Sequence, residues 1–365
     1  MTYLIARARP VLLVAALFAG GACTSSNLVS APTAIQQPIP PPIAPTVVPS
    51  AALTRVRMSD KQIAAQAYTY IAIDRGYFTD EGLEVELVPT SGGTDSTLQL
   101  VTGQVEFLDT ALTASLLNAI ARGVGARAIM SSARVMPGDK STGIVVRQDL
   151  IDSGRYRTPE DLKGMKIAVQ SPGGATWYVA QRALALGNVS TADIEFVILP
   201  FPDALAALAG KTVDAAFEVE PFISTGHDQG IAKLVVPTAE AAPGSAGPIV
   251  VVDEKYARNN PDLVRRFVTA SLRGLRDYYR AVQLNEGSRD DVITSIVTHT
   301  AMKDRQKIEH IALSFVDPNG AIDVQSLAEM QAFFLDNGQQ PKPVEISQFV
   351  DRSYLDYGLA RLGHI

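Results

Sequence analysis

Residues 165–179 read MKIAVQSPGGATWYV, in which an apolar strand-like run, a turn with two glycines and the start of a helix follow one another. A strand that leads into a helix through a short turn is the repeating unit of α/β proteins. Glycines give the turn backbone freedom, and the free N–H groups at a helix start can bind a polar ligand. The stretch therefore predicts an α/β fold with a ligand-binding loop at this turn.

The same turn lacks the two common phosphate-binding patterns. A nucleotide P-loop needs G-x-x-x-x-G-K-[ST], and a dinucleotide-binding turn needs G-x-G-x-x-G. Neither pattern occurs in this turn, and Trp177, the only tryptophan of the chain, stands in the first turn of the predicted helix. We therefore expect a polar ligand with a flat face.

The bulk composition indicates a globular protein. The chain has 365 residues, of which 47% are hydrophobic and 19% charged, which is enough for two domains. A formal net charge of -6 argues against a nucleic-acid partner, because such binding depends on lysine and arginine. The single cysteine, Cys23, excludes an intrachain disulfide and a zinc site made of several thiolates.

The N-terminal part predicts export and anchoring. Residues 1–22 contain Arg7, Arg9 and an apolar run of signal-peptide length, and the small residues before Cys23 resemble a bacterial lipobox. We expect lipidation of Cys23 and an extracytoplasmic, membrane-anchored protein. The alternative is ordinary cleavage that leaves a free thiol, because the lipobox prefers leucine at the position of Gly20. Residues 23–52 are proline-rich and uncharged, which predicts a tether.

After the tether, strand-like and helix-like segments alternate, as a mostly parallel sheet flanked by helices requires. The alternation of strand-like and helix-like segments begins again after TGIVVRQDL (142–150), which predicts two lobes. The first lobe begins with residues 53–145, the second occupies 146–246, and residues 247–365 return as a strand and helices that brace the first. In this last part, a stripe at helical spacing predicts a buried face formed by Val264, Phe267, Ser271, Leu275 and Tyr278.

The segment AIDRGYFTDEGLEVELVPTSGGTDSTLQLVTGQVEF (Ala72 to Phe107) resembles the solute-binding proteins of the thiamine-pyrimidine, sulfonate, taurine and nitrate import family. TPEDLKGMKIAVQSPGG, DALAALAGKTVDAAFEVEPF and NPDLVRRFVTASLRGL resemble the same family, in the same order. The resemblance implies a two-lobed periplasmic-binding-protein fold whose cleft closes on a small molecule by a hinge motion. It also implies a monomer without catalysis or cofactor, which delivers its ligand to an ABC permease and ATPase.

Ligands of open α/β sheets bind beyond the carboxyl ends of the strands. The loops that follow the predicted strands should therefore line the cleft. Their candidate ligand-binding residues are Gln66, Tyr68, Tyr70, Ser91, Gly92, Gly93, Thr94, Asp109, Thr110, Ser171, Gly173, Gly174, Thr176, Trp177, Glu218 and Glu220.

The aromatic and acidic candidates each have a structural alternative. Tyr68 and Tyr70 are two residues apart before a helix, a spacing that directs one ring to the cleft and leaves the other to pack. Trp177 is also in a position to pack between its helix and the sheet. Glu218 and Glu220 share a face at strand spacing, where either one binds the ligand or both belong to a solvated rim.

The charges of these loops favour particular ligands. The predicted loops contain no lysine, arginine or histidine, whereas they contain several carboxylates, which repel anions and accept hydrogen bonds from hydroxyl and amino groups. A neutral or cationic heteroaromatic ligand is therefore favoured over nitrate, taurine or a sulfonate. Among the vitamin ligands of the family, riboflavin is favoured, and the hydroxymethylpyrimidine precursor of thiamine is the alternative.

Two other classes of function compete with import. The first is a thiamine-pyrimidine biosynthetic enzyme, which in this family uses a histidine and a cysteine-rich iron motif. The four histidines lie outside the predicted cleft loops and form no catalytic pattern: His227, His299, His310 and His364. The second is a sensor or adhesion lipoprotein, which would keep the fold without the cleft chemistry. The combination of small and aromatic residues in the loops favours import.

Overall fold

The structure is a computed structural model that describes residues 52–365. The signal peptide, Cys23 and almost all of the predicted tether lie outside the described residues. Within residues 52–365, none of the helices has the length and hydropathy needed to cross a membrane.

The described residues form ten strands, which alternate with helices along most of the chain. In chain order the strands are β1 (Thr54–Asp60), β2 (Leu83–Pro89), β3 (Phe107–Thr110), β4 (Ala126–Ser131), β5 (Thr142–Arg147), β6 (Lys166–Val169), β7 (Glu195–Ile198), β8 (Ala215–Val219), β9 (Ala232–Pro237) and β10 (Ile249–Asp253).

The helices of the same range flank the sheets. In chain order they are α1 (Ala67–Asp74), α2 (Tyr77–Asp80), α3 (Gly93–Val101), α4 (Ala114–Ala121), α5 (Gln148–Asp152), α6 (Ala175–Leu186), α7 (Phe201–Ala209), α8 (Phe222–Asp228), α9 (Thr238–Ala241), α10 (Glu254–Asn259), α11 (Pro261–Val282), α12 (Arg289–His299), α13 (Arg305–His310), α14 (Val324–Asp336), α15 (Ile346–Phe349) and α16 (Ser353–Leu362). Single 3-10 turns occupy Ala64–Gln66, Pro159–Leu162 and Thr191–Asp193.

The strands build two five-stranded sheets, one in each lobe. The first has the order β2-β1-β3-β10-β4 and the second the order β7-β6-β8-β5-β9. In each sheet one strand runs against its two neighbours, β10 in the first and β5 in the second, and the other strands share one direction. The predicted fold of two α/β lobes with mostly parallel sheets is therefore confirmed.

The two antiparallel strands are those that enter a lobe from the other one. Residues 132–141 lead from β4 to β5, and residues 238–248 lead from β9 back to β10. Because β5 pairs with the second sheet along its whole length, the first passage ends before Thr142. The predicted lobe boundary between residues 145 and 146 therefore falls inside a strand, and the second lobe begins earlier.

Apolar side chains cover both faces of each sheet. In β10, Val250 and Val252 pack with α1 and α11, while Ile249 and Val251 pack with α4 and α14 on the other face. Ring stacking joins α11 to the sheet, with 3.8 Å between the centroids of Phe267 and Phe107. The five residues of the stripe predicted on this helix are all buried, so that prediction is confirmed.

Candidate functional site

A cavity lies between the two lobes and encloses about 970 Å³, its open mouth included. The first lobe lines the cavity with residues that follow β1 and β3, and the second lobe with residues at the ends of β6, β7 and β8. The cavity therefore lies at the strand edge where ligands of open α/β sheets bind.

The two lobes differ in the chemistry that they present to this cavity. The second lobe contributes the aromatic side chains of the wall, Tyr178, Phe201 and Phe217, together with the polar side chains of Gln170, Ser171 and Thr176. The first lobe contributes both charged side chains, Lys61 and Asp109, with Gln66, Thr110 and Thr113, and also the apolar side chains of Ile63 and Met330. A molecule in the cavity thus meets the aromatic rings on one side and the two charged groups on the other.

Lys61 follows directly after β1 and is half-buried in the polar wall. The amide of Gln66 fixes the backbone at this point, because its Oε1 accepts from the Lys61 N–H at 2.7 Å and its Nε2 donates to the Ser59 carbonyl at 3.2 Å. Within residues 52–365, the only hydrogen bond of Lys61 is this one from its backbone. Its ammonium group is therefore available to a ligand.

Asp109 stands near the end of β3 and is only 2% exposed. Its Oδ2 accepts from the Tyr68 hydroxyl at 2.9 Å, and its Oδ1 accepts from the Ser132 hydroxyl at 3.0 Å. Burial raises the pKa of Asp109, and the charge of Lys61 together with the two hydroxyls partly offsets this effect. The carboxyl group is therefore held in one orientation at the base of the polar wall.

The presence of Lys61 corrects the predicted charge of the cleft. The loop after β1 begins at residue 61 and not at Gln66, since the strand continues to Asp60. The statement that the cleft loops lack a cation is therefore wrong. The ammonium of Lys61 attracts anions, so the cleft opposes an anionic ligand less strongly than its carboxylates alone would.

Tyr68 and Tyr70 lie inside the first lobe, with exposed fractions of 1% and 0%. Tyr68 donates to Asp109, whereas the Tyr70 hydroxyl donates to Asp60 Oδ1 at 2.6 Å and the Tyr70 ring stacks on His299 at 4.9 Å. Burial raises the pKa of both phenols. Neither ring lines the cavity, so the predicted stacking role of these tyrosines is corrected to a structural one.

The turn that opens α6 contributes Ser171, Gly174 and Thr176 to the cavity wall. Trp177 does not line the cavity, and its ring packs on Phe196 with 4.2 Å between centroids. Tyr178 lines the cavity instead, because successive side chains on a helix point about 100° apart. The aromatic platform predicted at Trp177 is therefore one residue further along the chain.

Among the candidates after β2, only Gly93 lines the cavity. The carbonyl of Ser91 accepts from Gln170 Nε2 of the other lobe at 2.7 Å, and Gly92 lies against the same side chain. Thr94 is exposed. Ser91 and Gly92 therefore join the lobes at the rim, as does Gly173, which is also absent from the cavity wall.

The two predicted glutamates are also absent from the cavity wall. Phe217 and Val219 face the cavity, so Glu218 between them faces the other side of the sheet, where neither carboxyl oxygen has a partner among the described residues. Burial raises the pKa of Glu218 well above its usual range. Glu220 accepts from the Ser224 hydroxyl at 2.7 Å and from the Ala312 N–H at 3.2 Å. Both are corrected to structural positions.

Most polar groups of the cavity wall already bind protein atoms. The Thr176 hydroxyl accepts from the Gln170 N–H at 3.0 Å, and the Thr142 hydroxyl donates to Thr238 at 2.8 Å. In the part of the chain that the structure describes, the side chains of Lys61, Ser171, Tyr178 and Ser245 have no such partner. The ammonium of Lys61 and the three hydroxyls are therefore the free donors of the site. The same range holds no cluster of three or more histidine, cysteine, aspartate or glutamate residues placed for a metal ion.

This arrangement of two lobes around a cleft can be compared with known proteins. Residues 64–281, more than half of the chain, match the family described as NMT1/THI5 like. The chain belongs to the NMT1/THI5-like family. One relative is the riboflavin-binding protein RibY of Chloroflexus aurantiacus, 28% identical over 273 residues that make up 73% of this chain and 72% of RibY.

Solved structures with the same fold include both binding proteins and an enzyme. The alkanesulfonate-binding protein SsuA of Xanthomonas axonopodis, bound to MOPS, has a TM-score of 0.65 at 20% identity and covers 83% of this chain and 99% of its own. The nitrate-binding protein NrtA of Synechocystis PCC 6803 has a TM-score of 0.72 at 12% identity, with coverages of 85% and 89%. The desulfurization enzyme DSZB has a TM-score of 0.61 at 18% identity, with coverages of 85% and 99%. These similarities establish the fold of this NMT1/THI5-like protein.

Proposed function

We propose that this protein is the solute-binding component of an ABC importer and that it captures a flat heteroaromatic vitamin-type molecule, with riboflavin favoured. One observation carries the choice of ligand: the aromatic side chains of the cavity come from one lobe, and its two charged side chains, Lys61 and Asp109, come from the other. The family membership and the similarity to RibY, SsuA and NrtA, all named as binding proteins, support capture rather than catalysis.

The isoalloxazine ring of riboflavin is divided in the same way as the cavity. One end is a dimethylbenzene, which suits the apolar surface of Phe201 and Phe217. The other end presents a carbonyl, an N–H and a second carbonyl, which suit the ammonium of Lys61 and the carboxylate of Asp109. Tyr178 offers a ring for stacking, and a contact of this kind contributes about 1–3 kcal/mol. The hydroxyl of Ser171 is then available to the polyol chain.

Two smaller ligands use only part of this surface. Hydroxymethylpyrimidine carries polar groups for Lys61 and Asp109 but leaves much of the aromatic wall uncovered. A sulfonate or nitrate is the second candidate, because Lys61 is a free cation in the wall. Asp109 opposes an anion at the same place, and the apolar wall adds nothing to the binding of nitrate.

The ligand has to contact both lobes to close the cleft. Lys61 belongs to the first lobe, whereas Ser171 and the aromatic side chains belong to the second. A molecule that reaches both walls binds the closed form better than the open form, and this difference in affinity shifts the population towards closure. The permease then receives the closed, loaded form.

The location of the protein is part of the same proposal. Residues 1–22 and Cys23 have the pattern of a lipoprotein signal, and the proline-rich residues 23–52 have the composition of an extended tether. We expect an extracytoplasmic protein that acts as a monomer near its permease while a lipid on Cys23 holds it at the membrane.

A ligand screen tests the function. The purified protein is titrated with riboflavin, lumichrome, FMN, hydroxymethylpyrimidine, taurine and nitrate, and its melting temperature is recorded. A ligand present at 100 times its dissociation constant stabilises the folded state by about 2.7 kcal/mol, which corresponds to a shift of several degrees. Riboflavin and lumichrome should produce this shift and lose their own fluorescence on binding. A shift with taurine or nitrate alone would refute the heteroaromatic ligand and leave import in place.

A further inference from the structure

Gly173 of the second lobe is held by the first lobe through both of its backbone groups. Its carbonyl accepts from the Ala114 N–H, at the start of α4, at 2.7 Å. Its own N–H donates to the side-chain oxygen of Gln339 at 3.2 Å, in the amide orientation that satisfies both ends of Gln339. One residue outside the cavity wall therefore connects two separate parts of the opposite lobe.

Gln339 is anchored in the first lobe and reaches across to the second. Its backbone N–H donates to the Phe334 carbonyl at 2.9 Å, and its carbonyl accepts from Asn118 Nδ2 at 2.9 Å. Its side-chain oxygen accepts from Trp177 Nε1 at 2.9 Å in addition to Gly173. The indole of the only tryptophan therefore touches the first lobe when the lobes are in this arrangement.

The absence of a Cβ allows this close approach. A Cβ on Gly173 would lie 2.8 Å from Ala114 Cβ, well below the normal contact distance. On the neighbouring part of the rim, a Cβ on Gly92 would lie 2.9 Å from Gln170 Nε2, the atom that donates to the Ser91 carbonyl. Glycines of both lobes therefore allow the close approach at these two neighbouring contacts of the rim.

We infer that Gly173 and Gln339, with Ala114 and Trp177, form a rim clasp that sets ligand affinity by stabilising the closed cleft without touching the ligand. The clasp is defined by the hydrogen bonds from Ala114 to Gly173 and from Gly173 and Trp177 to Gln339. These bonds exist only when the lobes are together, so they stabilise the closed form alone. Their loss should speed ligand release and leave association nearly unchanged, because the open form that meets the ligand is unaltered.

The test compares Gly173→Ala with Gly230→Ala, a matched control. Both glycines have left-handed backbones, with φ of 66° and 65°, so alanine meets the same strain, but a Cβ on Gly230 has nothing within 4 Å. Gln339→Ala, with Gln325→Ala as its control, removes the side-chain acceptor without changing a glycine. Stopped-flow release of riboflavin gives the dissociation rate, and acrylamide quenching of Trp177 in ligand-free protein reports the exposure of the indole.

Gly173→Ala and Gln339→Ala should each raise the dissociation rate about tenfold, because Gly173→Ala disturbs the hydrogen bond from Ala114 and Gln339→Ala removes the acceptor of two hydrogen bonds. Association rates should stay within twofold, and acrylamide should quench Trp177 more strongly than in either control. If each variant and its control have the same dissociation rate and the same quenching of Trp177, the clasp is refuted. The riboflavin measurement rests on the proposed function, but the quenching does not. Wild-type protein that fails to bind riboflavin would refute that ligand, and the quenching comparison would still decide the clasp.

Discussion

Replacing Lys61 by methionine tests the polar wall of the cavity. The substitution keeps most of the side-chain length and removes the one ammonium group that lines the cavity among the described residues. A hydrogen bond to a charged group contributes about 1.5–3 kcal/mol, so we expect the dissociation constant for riboflavin to rise about 10- to 100-fold.

Lys163→Met is the matched control, because it removes the same charge from an exposed position of the second lobe. Quenching of riboflavin fluorescence gives the dissociation constants, and thermal unfolding without ligand shows whether the variants are folded. Lys61→Arg should recover part of the affinity, since it keeps the charge. If Lys61→Met binds riboflavin within twofold of Lys163→Met, then Lys61 does not contact the ligand and the orientation proposed for the ring is wrong.

Three further predictions concern stability and location. Glu218→Gln should flatten the dependence of stability on pH. The raised pKa of Glu218 keeps its proton in the folded state while the unfolded chain releases it, so wild-type stability falls by up to about 1.4 kcal/mol per unit as pH rises above the unfolded value near 4.3. Urea unfolding at pH 4 and pH 8 gives the free energy of unfolding of the wild type and of Glu218→Gln. If the difference between the two proteins is the same at both pH values, Glu218 does not cause the pH dependence. Gly274→Ala should destabilise the fold by about 1–3 kcal/mol, because a Cβ there would lie 2.3 Å from the Tyr68 carbonyl where α11 crosses α1. Gly210→Ala is the control, because Gly210 has a negative φ of -77° and its Cβ would come no closer than 3.4 Å to another atom. An equal change in melting temperature in the two variants would argue against the close packing. Cys23→Ser should release the protein from the membrane fraction and abolish labelling by radioactive palmitate in cells, whereas an unchanged membrane fraction would refute the lipid anchor.

The sequence predicted the elements that depend on local patterns. Alternating strand and helix signals gave two α/β lobes, and the stripe from Val264 to Tyr278 gave the buried face of α11. These features follow from hydrophobic periodicity, which reports which face of an element is buried. The direction of the strands then predicted the position of the cavity, because ligands of open α/β sheets bind beyond the carboxyl ends of the strands.

The side chains that line the cavity were harder to predict, because their direction depends on small shifts and distant partners. A single helical position separates Trp177 from Tyr178, yet only Tyr178 lines the cavity. Tyr68 faces inward because Asp109, 41 positions away in the chain, accepts its hydroxyl. No local pattern contains such a partner. Side chains alternate between the two faces of a strand, and this alternation in β8 is the signal that would have predicted that Glu218 points away from the face of Phe217.

The place of β10 determines the order in which the two lobes can be completed. All five strands of the second sheet lie within residues 142–237, so that sheet can form from one continuous segment of chain. The first sheet needs β10 between β3 and β4, and this strand is made only after the whole second lobe. A growing chain that stops short of residue 249 therefore leaves β3 and β4 as unpaired edges, which are prone to pair with other chains. We expect the second lobe to fold first as a unit and the first lobe to wait for the returning strand.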